Sequence, residues 1–345
     1  MRNTVLKIFI LLFGLTTSGY SQDFSALWQA HYSYNNIVDV VSGGDKIYAA
    51  AQNAVFEYDT LTNQLTTIST VDGLSGEQIT TIYYSELYQY LLIGYETGLI
   101  EVYSETNDNI LTIVDILDKQ NITPVNKRIN HFFEHEGLVY ISTDYGVSIY
   151  DLERLEFGDT YFLGDGGAQI TVKQVSILNN EIYVACLNSN GVKKADLNNP
   201  NLIDFQQWET VILGDYYTIN AINNKLYTVR SNKVLYEING ASINTLFTLP
   251  LLPLDADTSS SNLVYSTSNT IYVYNENLNL VSSFQPTTDF STVFTSAITL
   301  DDTIYIGTET LGVLSHSISN SSGYSEILPE GPLFNELMQK LILYG

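Results

Sequence analysis

The sequence predicts an all-β fold, a seven-bladed β-propeller whose blades are four-stranded antiparallel sheets. The first observation is a repeat, because one pair of strand residues recurs seven times at intervals of 38 to 48 residues. A period of about 40–45 residues built from short strands is typical of propeller blades. The second observation is the presence of 26 tyrosines, since aromatic residues favour strands. The repeated pairs are Ile47-Tyr48, Leu91-Leu92, Val139-Tyr140, Ile182-Tyr183, Leu226-Tyr227, Val264-Tyr265 and Ile304-Tyr305.

Each repeat divides into four short strands. The strands alternate apolar and polar residues and are bounded by Gly, Asn and Asp. The turn between the first two strands holds residues that tolerate the positive φ of a tight hairpin, such as Asn179-Asn180, Asn223-Asn224 and Asp301-Asp302. In the fourth repeat, we predict the outer strand over residues 205–213. The seven blades are predicted at residues 37–70, 79–116, 129–163, 172–213, 217–249, 254–285 and 293–328.

The first 21 residues have the features of a secretory signal peptide. Arg2 and Lys7 form a positive start, residues 8–15 are apolar, and Ser21 is a small residue before the predicted cleavage site. We therefore expect an exported protein, with a signal peptide at 1–21 and the propeller at 22–330.

Both ends of the ring carry predictions. We expect residues 26–32 to form the outer strand of the seventh blade, which would join the last blade to the first and remove an exposed sheet edge. Residues 331–345 have two interpretations. They form a short tail that caps the ring, or, as we favour, a truncated lead-in to a second propeller.

The net charge argues against one class of partner, and the cysteine content excludes an internal disulfide. The formal net charge is −24, which repels phosphate backbones and argues against nucleic acid as a partner. Cys186 is the only cysteine, so no internal disulfide forms. It falls in a strand that we interpret as buried, where it would act as a small apolar residue.

No residue pattern predicts catalysis, a cofactor or a metal site. His131 and His135 flank Glu134 in an H-x-x-E-H pattern, but that zinc motif needs a helix and this segment is predicted as a strand. Asp255 and Asp257 share a strand face without a calcium-loop pattern, so we expect solvated carboxylates. We accordingly predict a protein that is not an enzyme.

One segment resembles a known family. The stretch WQAHYSYNN, which contains Trp28, His31, Ser33, Tyr34, Asn35 and Asn36, is followed by the first predicted blade. The whole run resembles the N-terminal propeller of the PorZ family of the type IX secretion system of Bacteroidota. Residues 71–75 also resemble the linker of two-component-regulator propeller repeats. We interpret the opening stretch as a lead-in that closes the ring.

The resemblance implies a non-enzymatic scaffold for protein interactions at the periplasm or the outer-membrane surface. Its implied partners are the type IX sortase PorU and the attachment-complex proteins PorV and PorQ. The implied role is to help the sortase anchor cargo proteins to anionic lipopolysaccharide. Two alternatives remain open: the glycan-sensing propeller of a two-component regulator, and a glycan-binding propeller.

Two threonines match a modification pattern. Thr60 and Thr303 each follow an aspartate and precede an aliphatic residue, which resembles the O-glycosylation sites of Bacteroidota. We predict both as candidate O-glycosylation sites.

Overall fold

The computed structural model describes residues 32–240, 242–259, 261–286, 292–320 and 323–329. The predicted signal peptide, Trp28, His31 and residues 331–345 lie outside the described residues.

The described chain forms seven four-stranded antiparallel sheets, which confirms the predicted seven-bladed propeller. Within each sheet, the strands pair in chain order, from an inner strand at the centre to an outer strand.

The first four blades comprise sixteen strands. Blade 1 contains β1 (Ile37–Gly43), β2 (Lys46–Ala51), β3 (Val55–Asp59) and β4 (Leu65–Ile68). Blade 2 contains β5 (Ile79–Ser85), β6 (Tyr90–Tyr95), β7 (Ile100–Ser104) and β8 (Asn109–Ile113). Blade 3 contains β9 (Ile129–His135), β10 (Leu138–Thr143), β11 (Gly146–Asp151) and β12 (Glu156–Tyr161). Blade 4 contains β13 (Val172–Leu178), β14 (Glu181–Cys186), β15 (Val192–Asp196) and β16 (Glu209–Ile212).

The remaining twelve strands complete the ring. Blade 5 contains β17 (Tyr216–Ile222), β18 (Lys225–Arg230), β19 (Val234–Asn239) and β20 (Ser242–Thr248). Blade 6 contains β21 (Asp255–Ser259), β22 (Asn262–Ser266), β23 (Ile271–Asn275) and β24 (Leu280–Phe284). Blade 7 contains β25 (Phe294–Leu300), β26 (Thr303–Thr308), β27 (Val313–Ser317) and β28 (Ser325–Ile327).

The ring is closed by contacts between inner strands. Each inner strand contacts the next one around the ring, and β25 contacts β1. The hydrophobic core lies between the blades, with one cluster of buried side chains at each of the seven interfaces within the described residues. Because neighbouring blades cover both faces of each sheet, the second strand of a blade is buried on both sides, as in β2 and β6, whereas the outer strands, such as β4 and β8, are largely exposed.

The closing interface joins blades 7 and 1. Ile37 and Val40 of β1 pack in one cluster with Ile298 and Tyr305 of blade 7. Gly307 of β26 allows this approach, since a Cβ added there would lie 2.8 Å from Ile37 Cγ2. The close contact requires glycine at this position, because real Cβ atoms do not come so near.

The turns between the first two strands of a blade have the predicted chemistry. Asn179 and Asn180 have φ of 51° and 63°, and Asn223 and Asn224 have φ of 48° and 57°. Two successive residues with positive φ give the hairpin turn that matches the twist of the strands.

The outer strand of blade 4 is shorter than predicted. Phe205–Gln207 forms a 3₁₀ turn, and β16 begins at Glu209. The Asp204 side chain caps this turn by accepting a hydrogen bond of 3.0 Å from the Gln206 amide. This local side-chain bond gives the backbone an alternative to strand pairing, which is why the prediction failed here.

The outermost described strand of blade 7 is β28, which follows β27 in the chain. Residues 26–31 of the predicted closing strand lie outside the described residues, and Tyr32 belongs to no strand. That prediction stays open.

Candidate functional site

A cavity of about 550 Å³ lies along the central axis, lined by residues from all seven inner strands. Cavities of this volume hold small molecules in many proteins. Its wall contains both charged and aromatic side chains. The central channel is therefore the candidate site of this propeller.

The inner strands share an irregularity that shapes the channel wall. Six of them carry a register shift near the start of their pairing with the second strand, as at Ile37/Asp39 of β1 and Val172/Gln174 of β13. A β-bulge of this kind redirects the side chain of the extra residue. The bulged residues, among them Lys173 and Tyr217, line the cavity. The inner strand of blade 6, β21, pairs without a shift.

Asp39 joins three blades at the wall of the channel. Its Oδ1 accepts hydrogen bonds from the Val40 amide at 2.8 Å and from Ser296 Oγ of blade 7 at 2.9 Å. Its Oδ2 accepts from Thr81 Oγ1 and the Ile82 amide of blade 2, both at 2.9 Å. Burial raises the pKa of Asp39, and these donors act in the opposite direction. The carboxylate is thus a structural acceptor at the seam of the ring.

Gln174 makes a similar link on the other side of the ring. Its Oε1 accepts a hydrogen bond of 2.9 Å from the Ile219 amide of blade 5. Its Nε2 donates to the Ala256 carbonyl of blade 6 at 2.8 Å. One side chain of blade 4 therefore satisfies backbone groups of two further inner strands, which buried polar groups require.

Asp255 and Asp257 line the cavity and are half-buried, so they are less solvated than predicted. They are two residues apart on β21, whose regular pairing turns both side chains to the same face. Burial is the main cause that raises the pKa of Asp257 to about 7. Burial, Asp39 and Asp257 together raise the pKa of Asp255 well above its ordinary value. Sequence reasoning failed because the neighbouring inner strands enclose these side chains.

Basic groups lie near the start of the neighbouring strands. Lys173 Nζ donates to Asn130 Oδ1 at 3.1 Å, and Asn130 Nδ2 donates to Asp144 Oδ1 at 2.9 Å. Burial lowers the pKa of Lys173. Burial also lowers the pKa of His131 to about 4, so its imidazole side chain is neutral at pH 7. The Nδ1 atom of His131 is shielded from solvent and has no hydrogen-bond partner.

The H-x-x-E-H segment is a strand, as predicted. His131 and His135 both lie on β9, so the spacing that would bring them together on a helix does not do so here. Within the described residues, no group of three His, Cys, Asp or Glu side chains is arranged to hold a metal ion.

The described part of the lead-in motif bridges blades 1 and 7. Tyr34 is buried and packs edge-on against Phe56 with ring centroids 5.8 Å apart. The Asn35 carbonyl accepts a hydrogen bond of 2.9 Å from the Gly312 amide of blade 7. The side chains of Ser33 and Asn35 are exposed, and Asn36 is half-buried.

The other residues singled out from the sequence lie away from the channel. Thr60 is in the turn after β3, where its Oγ1 donates to the Asp45 carbonyl at 2.7 Å. Thr303 begins β26. Cys186 is buried, and burial raises its thiol pKa to about 12. Trp208 is buried and donates from Nε1 to the Leu202 carbonyl at 2.9 Å.

Sequence reasoning missed a repeated polar position on the inner strands, at which Asp39, Gln174 and Ser296 form hydrogen bonds between blades. Six inner strands place a polar residue two positions after their first, apolar residue. A polar residue repeated at one position of otherwise buried strands indicates hydrogen bonding between repeats. These residues are Asp39, Thr81, His131, Gln174, Thr218 and Ser296.

The comparisons with known proteins agree with this architecture. Residues 47–209 match the model of the N-terminal β-propeller domain of PorZ of the type IX secretion system. The propeller is PorZ-like. A solved PorZ, described as an essential bacterial surface component of the type IX secretion system of Porphyromonas gingivalis, matches with a TM-score of 0.71 and 17% identity. The match covers 89% of this chain and 40% of PorZ, so this chain spans less than half the length of that protein.

Other solved structures share the PorZ-like fold. The extracellular domains of two hybrid two-component systems from B. thetaiotaomicron match with TM-scores of 0.62 and 0.61, at 18% and 12% identity. These matches cover 85% and 81% of this chain, and 42% and 40% of the two structures. A search of curated protein sequences finds no match. In the part of the chain that the structure describes, no helix is long and apolar enough to span a bilayer.

Proposed function

We propose that this protein is a non-enzymatic scaffold of the type IX secretion system, whose propeller binds other proteins of the attachment complex. The observation that carries the proposal is the match of residues 47–209 to the PorZ N-terminal propeller. This match runs from β2 to the start of β16, through most of four blades. Propellers are scaffolds for many functions, so the family match is the support here and the fold alone is not.

The proposed partners are the sortase PorU and the attachment-complex proteins PorV and PorQ. In this role, the protein helps the sortase to anchor cargo to anionic lipopolysaccharide. The net charge of −24 supports docking to proteins through this propeller, because like charges oppose direct contact with an anionic glycan. Contact with lipopolysaccharide is therefore assigned to regions outside the propeller.

We also propose that the protein is exported and acts at the outer-membrane surface or in the periplasm. Two findings support this location. The solved PorZ is described as a bacterial surface component, and the propellers of the two-component systems are extracellular domains. The predicted signal peptide at 1–21 supports the same route.

A co-purification experiment tests the scaffold. The chain is tagged at its native locus, cross-linked in cells and purified, and the bound proteins are identified by mass spectrometry. We expect the sortase and its attachment partners to be enriched relative to an untagged strain. In parallel, a clean deletion should release cargo into the medium without anchored glycan. Intact secretion and anchoring in the deletion strain would overturn the proposal.

A glycan-binding or glycan-sensing propeller is the second candidate function. The matches to the extracellular domains of two-component systems favour it, as does the cavity, whose wall contains aromatic side chains. Small-molecule pockets are commonly lined by aromatic side chains together with a few polar groups. A glycan array with the purified propeller separates the two candidates. Saturable binding of one glycan class, without enrichment of sortase partners, would favour sensing over the scaffold.

A further inference from the structure

The central cavity carries an excess of negative charge. Arg128 and Lys173 are the two basic residues of its wall other than histidine, and Lys173 is already hydrogen-bonded to Asn130. Among the ion pairs of the described residues, none includes a carboxylate of the cavity wall. Buried or enclosed charges are normally paired, because leaving them unpaired costs free energy. The five carboxylates of the wall are Asp39, Glu86, Glu134, Asp255 and Asp257.

Asp255 and Asp257 differ from Asp39 in their bonding. Asp39 accepts four hydrogen bonds and is thereby committed to joining the blades. Asp257 accepts one from the Thr258 amide, at 2.6 Å to Oδ1. Asp255 interacts with the Ser296 side chain and the Ala256 amide. Each of the two side chains keeps partial access to the channel, so both carboxyls retain acceptor capacity for a bound molecule, Asp257 more than Asp255.

His131 also lines the wall, and its imidazole is neutral at pH 7. Its Nδ1 atom has no hydrogen-bond partner and is shielded from solvent, so it lies within the wall and does not face the open cavity. Tyr83, Phe133 and Tyr217 also line the cavity, and aromatic faces attract cations.

We propose that the central cavity binds a small organic cation with an alkylammonium group, held by Asp255 and Asp257. A metal ion is disfavoured because the described residues contain no group of three side chains arranged to ligate one. An anion is disfavoured by the five carboxylates of the wall. A neutral sugar would leave the negative charge of Asp257, which is deprotonated above about pH 7, uncompensated. An ammonium ion compensates that charge and also fits the aromatic wall.

Proton binding competes with the cation at these carboxyls. Asp39 and Tyr83, from neighbouring inner strands, interact electrostatically with Asp257. The other titratable side chains of the cavity wall are Tyr84, Glu86, Arg128, His131, Glu134, Lys173, Tyr217 and Asp255. Because Asp257 is protonated in the folded state below about pH 7, the ammonium ion should bind more tightly at pH 8 than at pH 6.

The test uses 1,5-diaminopentane as the probe and 1,5-pentanediol as its neutral isostere. Binding to the full chain is measured by calorimetry at pH 6 and pH 8. The site variant is Asp255→Asn with Asp257→Asn. Its matched control is Asp118→Asn with Asp165→Asn, which removes the same charge from two exposed loops. Thermal unfolding of each variant verifies that it is folded.

We expect the diamine to bind the wild type and the control variant with equal affinity. Its affinity for the site variant should be lower by at least about tenfold. The diol should not bind. An equal loss of affinity in both variants would show general attraction to an acidic protein and overturn the proposal. Binding of the diol with similar affinity would also overturn it, in favour of a neutral polar ligand. Calcium binding that requires the two aspartates would overturn it in favour of a metal. None of these outcomes depends on the secretion partners, so the proposal and the proposed scaffold function fail separately.

Discussion

Ser296 donates a hydrogen bond of 2.9 Å to Asp39, although 257 positions separate the two residues in the chain. The bond joins the last blade to the first at the wall of the channel. A ring of repeats has one seam that chain connectivity does not hold. Here that seam is held by this carboxylate, by the cluster around Ile37 and Ile298, and by the Asn35–Gly312 backbone bond.

Removal of the Asp39 carboxylate should destabilise the whole ring. We expect Asp39→Ala to lower the free energy of unfolding by about 2–4 kcal/mol, because four donors lose their acceptor. Ser296→Ala removes one donor and should cost about 1 kcal/mol. Urea unfolding of both variants and of the double variant measures the coupling between the two residues. An effect of Asp39→Ala no larger than that of Asp165→Ala, an exposed loop aspartate, would contradict the assigned role.

Gly307 should tolerate no side chain without a cost. A methyl group there would meet Ile37 Cγ2 at 2.8 Å and Val40 Cγ2 at 3.1 Å. We expect Gly307→Ala to lower the free energy of unfolding by about 1–3 kcal/mol through overpacking. Gly158→Ala is the matched control, since its Cβ would make ordinary contacts at 3.5 Å or more. The change in melting temperature relative to the wild type should differ in sign or size between the two variants. Equal melting temperatures would refute the steric explanation.

The pH dependence of stability should report on Asp257. Burial raises its pKa from 3.8 to about 7, so the folded protein holds this proton more tightly than the unfolded chain. The resulting stability is present at low pH and is lost as the pH rises from about 4 to about 7. Asp257→Asn should therefore be more stable than the wild type at pH 8, by roughly 1–3 kcal/mol, and show no such gain at pH 4. Melting temperatures across this range measure the difference.

His131 acts in the opposite direction over part of the same range. Its pKa is lowered from 6.5 to about 4 by burial, so protonation favours the unfolded chain between these values. Because the wild type and Asp257→Asn share this histidine, its contribution cancels in their difference, which reports on Asp257 together with its coupling to Asp255. If the difference is the same at pH 4 and pH 8, the raised pKa of Asp257 is wrong.

The two candidate O-glycosylation sites should behave differently. Thr60 lies in a turn after β3, whereas Thr303 is the first residue of β26 and pairs with Ser317. A bulky glycan is accommodated more easily on a turn than within a paired strand. We expect the intact mass of the native protein to exceed the calculated mass, and Thr60→Ala to abolish the excess. A measured mass equal to the calculated mass would show that neither threonine is glycosylated in the native protein.

The repeat by itself determined the fold of this chain. Alternation, the spacing of the strand pairs and the turn residues such as Asn223-Asn224 are local, and each blade is a local meander. The number of blades and the order of strands therefore followed from the sequence. The 3₁₀ turn at Phe205–Gln207 was missed because one capping side chain decided it.

The tertiary structure alone decided the chemistry of the channel. Asp255 and Asp257 have the same local pattern as solvated strand residues, and their enclosure depends on six other inner strands that are distant in the chain. The same holds for Asp39, whose partners come from blades 2 and 7. Burial and the nearby like charges raise the pKa of a carboxyl, and both are properties of the closed ring. The local sequence pattern predicts neither the burial of these carboxyls nor the charges near them.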